Sequence, residues 1–191
     1  IGWRYILTMF FAGLGMYTYL RQVNIGHWAA LWAGVAFMSA PTFLAFPMAG
    51  QYAKMGVIAV FPWMCLFLER GMERGRLIHL AGLGGMIGLG VYSHPPIMFY
   101  ALLGLGVYFL FKAYQIYREK ADVKRLAQRS GFFVFSVVLG LALGAEGAFP
   151  LFFYTRTESK RATGEEAGGK TAEQQLAYAQ SWSLHPEEAA S

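Results

Sequence analysis

Long uncharged apolar runs, returning along the first four-fifths of the chain, constrain it more than any other feature. A helix needs about 20 mostly apolar residues to cross a bilayer. Residues 5–20 carry no charge and are bracketed by Arg4 and Arg21, which can reach the interfaces with long side chains. Residues 27–46 form a full-length second run. Residues 55–68 form a third, with Pro62 inside it and Glu69 at its end. A proline inside a helix lacks the backbone N–H and is expected to kink it. Residues 69–76 then read as a tight charged turn. Three further runs follow: the glycine-rich 77–93, then 96–111, then 130–153, which contains Glu146.

This pattern predicts an all-α fold, a polytopic membrane helix bundle with about six transmembrane helices. The bundle is expected over residues 1–153, with a polar extracytoplasmic tail over 154–191. Composition agrees. Charged residues are 14 % and hydrophobic residues 56 % of the chain, where soluble domains carry roughly 25 % charge. The mean hydropathy is +0.38. No signal peptide is visible and no initiator Met opens the chain, so the expectation is that the true N-terminus is missing or that processing has removed it. The lone Cys65, inside an apolar run, reads as a small buried side chain.

Six spans must alternate sides, so the loops can be compared. One side receives Arg21, the Arg70–Arg76 group and the basic stretch from Lys112 to Arg129. The other receives Arg4, Lys54 and the basic residues of the tail. The split is ten to six, which makes the first side cytoplasmic. The net charge of +5 is explained by this placement, and no nucleic-acid partner is expected. Gln51, Lys54, His94, Glu146 and the whole tail then fall outside.

Several of these residues are candidates for binding. Lys54 is the only lysine before Lys112. At a membrane edge it suits a lipid phosphate, and Gln51 stands one turn earlier. His94 precedes Pro95 and Pro96 and suits a phosphate, a sugar or a proton. Glu146 is an ionisable residue in an apolar run, hence a candidate by default. In the tail, Arg161, Trp182, Glu187 and Glu188 could cap a substrate site. Gly84 with Gly88, and Gly140 with Gly144, have the spacing that lets membrane helices approach closely. A nucleotide-binding reading of the 82–90 run fails, because no strand precedes it and no P-loop lysine follows. No metal-ligand cluster is visible, and no cofactor is indicated.

With these residues in place, the chain resembles the YfhO-like family of bacterial membrane proteins along essentially its whole length. Ala49-Gly50-Gln51-Tyr52-Ala53-Lys54 with Phe61-Pro62-Trp63 is similar to that family's AGHxxK…LPW stretch. Ser93-His94-Pro95-Pro96 resembles its GHPQ turn. Pro150, Tyr154, Ser159 and Arg161 resemble its P-x-x-E-Y…S-x-R segment. Trp182-Ser183-Leu184-His185-Pro186-Glu187-Glu188 is similar to its WSLPPEE motif. Gln51 replaces the usual His, which argues against proton transfer there. Pro96 replaces a Gln and Phe153 a Glu.

The resemblance implies a GT-C type membrane glycosyltransferase in a bacterial cytoplasmic membrane. Such an enzyme moves a sugar from a polyprenyl-phosphate donor to a cell-envelope glycopolymer or glycolipid acceptor on the outer face. It also implies that the catalytic carboxylate lies in an outer loop upstream of Ile1. Two rival readings are a lipid-linked sugar flippase or exporter, and a non-catalytic membrane subunit. The ionisable residues gather at one face, which favours the interfacial enzyme over a transport pathway.

Overall fold

A computed structural model describes residues 2–120 and 123–153. These form seven α-helices: α1 (Gly2–Gln22), α2 (His27–Met38), α3 (Pro41–Met48), α4 (Tyr52–Arg74), α5 (Leu77–Ser93), α6 (Pro95–Lys120) and α7 (Val123–Phe153). Among the described residues there is no strand. Hydrocarbon offers no partner to backbone N–H and C=O groups, so apolar runs must satisfy them internally. The chain divides at Ala148, and the last helical residues, from Phe149 to Phe153, belong to a second unit with the tail. The tail candidates Arg161, Trp182, Glu187 and Glu188 lie outside the described residues.

Four segments are long and apolar enough to cross a membrane: His27–Met48, Tyr52–Arg74, Pro95–Arg118 and Leu126–Pro150. The α5 run, Leu77–Ser93, is apolar but shorter. α1 is 21 residues long but is not among the four. The protein is therefore an all-helical, multi-pass membrane bundle, with four segments of spanning length and hydropathy among the described residues where the sequence pattern predicts about six.

Two details depart from the sequence expectation. The second run is not one helix. It breaks at Ser39-Ala40, and Pro41 opens α3. Proline pushes its predecessor out of the helical region, and Ala40 is extended at φ −58°, ψ 139°. The Ser39 and Ala40 amides still donate to Val35 O and Phe37 O, at 3.1 and 3.2 Å. The expected turn at 69–76 is also absent as such. α4 runs on through Glu69 to Arg74 and stops at Gly75.

α4 is the axis of the bundle: 67 % of its span is buried, against 11 % for α6. Trp63 of α4 stacks on Phe11 of α1, with ring centroids 5.0 Å apart. Its indole N–H donates to Phe11 O at 3.0 Å. α1 meets α2 where Gly13 faces Gly34: a Cβ on Gly34 would lie 2.8 Å from Gly13 O. α5 meets α7 along the two expected glycine pairs. A Cβ on Gly88 would lie 2.9 Å from Leu143 Cβ, and one on Gly144 would lie 3.0 Å from Gly88 O. The Ser136 hydroxyl ties the same seam by donating to Leu80 O at 3.2 Å.

Gly75 ends α4 in the left-handed region, at φ 62°, and its N–H donates to Gly71 O at 3.0 Å. The Arg129 guanidinium of α7 occupies the space where a Cβ would stand. Gly75→Ala is expected to destabilise the protein by roughly 1–2 kcal/mol from backbone strain alone, before Arg129 is displaced. Denaturant unfolding in bicelles measures it. An unchanged midpoint would mean that this turn adapts without strain.

Candidate functional site

The antiparallel order gathers alternate helix ends. The start of α1, the start of α4 and the end of α5 meet at the end that the basic asymmetry places outside. A cavity of about 430 Å³ opens there. Arg4, Tyr5 and Thr8 line it from α1, Tyr52, Ala53, Met55 and Gly56 from α4, and Tyr92 and Ser93 from α5.

Local sequence explains how these groups come together. Gln51 is the residue before the first turn of α4, so Tyr52 and Ala53 begin the helix at the rim. Gly56 lets α5 approach: a Cβ there would lie 2.6 Å from Ser93 Oγ. Thr8 is committed to its own helix, donating to Arg4 O at 2.8 Å. The Tyr5 hydroxyl is buried and has no hydrogen-bond partner. The wall thus combines one guanidinium, three phenols and a serine hydroxyl with apolar patches. Such a wall suits an amphiphile bearing a phosphate and hydroxyls.

Of the predicted residues, Gln51, Lys54 and His94 adjoin lining residues in the chain but are not on the cavity wall. Gln51 is exposed at the start of α4. Lys54 lies in the first turn, between two lining residues, and its ammonium sits 5.5 Å above the Phe46 ring of α3. His94 ends α5 beside Ser93, and its Nδ1 accepts from the Ile97 N–H at 3.3 Å. It therefore caps the start of α6, with Nε2 as the remaining polar atom. Glu146 is exposed on α7.

Sequence reasoning missed Arg4, which had been read as a bracket of the first span. It also missed Tyr5 and Tyr92, and it held Ser93 only as part of the turn with His94. The one available signal was that Tyr92 and Ser93 adjoin His94.

The opposite end holds a polar network of a different kind. Glu69 of α4 is only 3 % exposed. Its Oε1 lies 2.6 Å from Lys112 Nζ of α6, and its Oε2 accepts from the Tyr108 hydroxyl at 2.5 Å. Glu69, which the sequence places at the end of a span, is thus a buried acid within a membrane helix, as Glu146 is an exposed one. Nearby, Gln22 of α1 accepts from Arg70 Nε at 2.9 Å and donates to Glu73 at 2.8 Å. Among the described residues, no three His, Cys, Asp or Glu side chains converge as metal ligands would.

A protein-family model described as "6-pyruvoyl-tetrahydropterin synthase related domain; membrane protein" matches residues 4–159. No curated protein and no solved structure matches the chain. The family match starts at Arg4 and so takes in every residue of the cavity wall. The chain, a multi-pass helical membrane protein, belongs to the family of 6-pyruvoyl-tetrahydropterin synthase related membrane domains.

Proposed function

We propose that this chain is the membrane part of a glycosyltransferase using a polyprenyl-phosphate sugar. It would pass the sugar to a cell-envelope acceptor at the outer face. The observation that carries this reading is the outer-end cavity, with Arg4 beside phenols and Ser93. The resemblance to YfhO-like proteins supports it. Arg4 is the natural partner of the carrier's phosphate. Lys54 stands at the same rim and adds a second positive charge there. The phenols offer flat faces and hydroxyls to the sugar.

In the reaction, the bond between the anomeric carbon and the phosphate oxygen breaks, and the phosphate leaves with the electron pair. The acceptor oxygen bonds to that carbon and gives up its proton to a base. Positive charge stabilises the leaving phosphate as its charge develops. Among the described residues no carboxylate lines the cavity, and the wall residues bind and orient.

The test uses the full-length protein in vesicles, with a radiolabelled polyprenyl-phosphate sugar and extracted envelope acceptor. Labelled acceptor is the expected product. Ala53→Phe, which fills the cavity from an exposed wall position, should abolish it while leaving the fold intact. Transfer at the wild-type rate in that variant would place the site elsewhere. Tight binding of a reduced pterin, with none of the lipid donor, would move the assignment to the chemistry in the family's description.

The broken α2–α3 rod favours a second reading, because discontinuous helices mark transport pathways. A flippase would carry the labelled donor across the vesicle membrane without acceptor. It would form no glycosylated product.

A further inference from the structure

α6 rests on the bundle along a narrow seam, where Ile97, Ala101, Leu102, Ala113 and Ile116 are half-buried against the core. Met98 and Leu105 are its only buried residues among those described. At its outer end, Pro95 and Pro96 follow the His94 cap. Met98 seats beside Gly90, where a Cβ would lie 2.5 Å from its sulfur. Towards the inner end, Phe109 stacks on Phe133 of α7 at 4.3 Å. That apolar contact exchanges readily for contact with lipid. The directional attachment there is ionic: Lys112 and Tyr108 of α6 both bind the Glu69 carboxylate of α4. Tyr108 in turn meets Tyr19 of α1 edge to face, at 6.2 Å.

The energetics of such a contact are two-valued. The pair is tolerated because each oxygen of the buried Glu69 carboxylate has a partner, Lys112 on one and Tyr108 on the other. Half a pair is not, since an unpaired charge is held away from water. The surviving charge regains water as the two helices part.

We propose that Glu69, Lys112 and Tyr108 form a latch that holds α6 closed against α4. When the latch breaks, α6 swings about Pro95-Pro96 and opens the α4–α6 seam at the inner end. This conformational device is separate from the outer cavity and does not depend on its assignment.

The chain carries its own reporter. Cys65 is the single cysteine, is buried, and stands one turn before Glu69 on the same face of α4. It packs in the same core cluster as Leu105 of α6.

The experiment measures the rate at which N-ethylmaleimide modifies Cys65 in the full-length protein in lipid nanodiscs. Wild type should react slowly, and Lys112→Met should react at least about tenfold faster. Glu69→Leu combined with Lys112→Met removes both charges, and should return the rate to within about threefold of wild type. A reference thiol, Ala30→Cys in a Cys65→Ala background, probes the α1–α2 contact. Lys112→Met should leave its rate unchanged.

An unaccelerated Cys65 in folded Lys112→Met overturns the latch. So does equal acceleration at Ala30→Cys, which would mean general loosening. A double variant as fast as the single one also overturns it. If Lys112→Met does not fold, Tyr108→Phe takes its place, with an expected acceleration of about fivefold. A wild-type rate there counts equally against the proposal.

Discussion

Gly140→Leu should drive α5 and α7 apart and lower stability by roughly 3 kcal/mol, the upper range for an overpacked interface. A Cβ at this position would fall onto the Ile87 side chain and lie 2.8 Å from Gly84 O. Side chains can rotate away, but a backbone carbonyl in the facing helix cannot. The helices must therefore separate along the whole glycine seam. Gly85→Ala supplies the contrast. That position has nothing within 4 Å, so alanine there should be neutral or stabilising by up to about 1 kcal/mol through helix propensity. Unfolding of both variants in mixed micelles decides the matter. If they unfold at the same denaturant concentration, the seam is not what joins α5 to α7.

Arg4→Gln is expected to weaken donor binding or transfer by about tenfold or more. A hydrogen bond to a charged group contributes roughly 1.5–3 kcal/mol, and each 1.4 kcal/mol is a factor of ten. Arg4 is exposed at the rim, so the lower end of that range applies. Lys54→Ala should have a smaller effect, since its ammonium lies over Phe46 rather than on the cavity wall. The measurement is initial rate against donor concentration, at matched amounts of folded protein. A larger loss from Lys54→Ala than from Arg4→Gln would move the phosphate to the Lys54 side of the rim.

Most of the architecture could be read from charge spacing. Lipid leaves a chain few choices, so uncharged runs become helices. The glycine pairs at 84 and 88, and at 140 and 144, met as their spacing implied. What was not legible was the fate of charges near helix ends. Hydropathy treats a charged residue as the edge of a span, and it placed Glu69 in a turn. The carboxylate instead stays inside because Lys112 and Tyr108, distant in sequence, arrive beside it. Arg4 was missed for the same reason. Its value depends on Tyr52 and Tyr92, which only the packing brings near. The break at Ser39-Ala40 had a visible cause in Pro41, but an apolar run of that length hid it.

The way α1 is held bears on how the protein is made. α1 is not among the four segments that are long and apolar enough to cross a membrane. Its attachments among the described residues include Gly34 in α2, Trp63, Arg70 and Glu73 in α4, and Tyr108 in α6, all later in the chain. During synthesis α1 leaves the ribosome before any of these surfaces exists. The seat of α1 is thus completed only by segments translated after it, so the contacts that hold it are long-range in sequence.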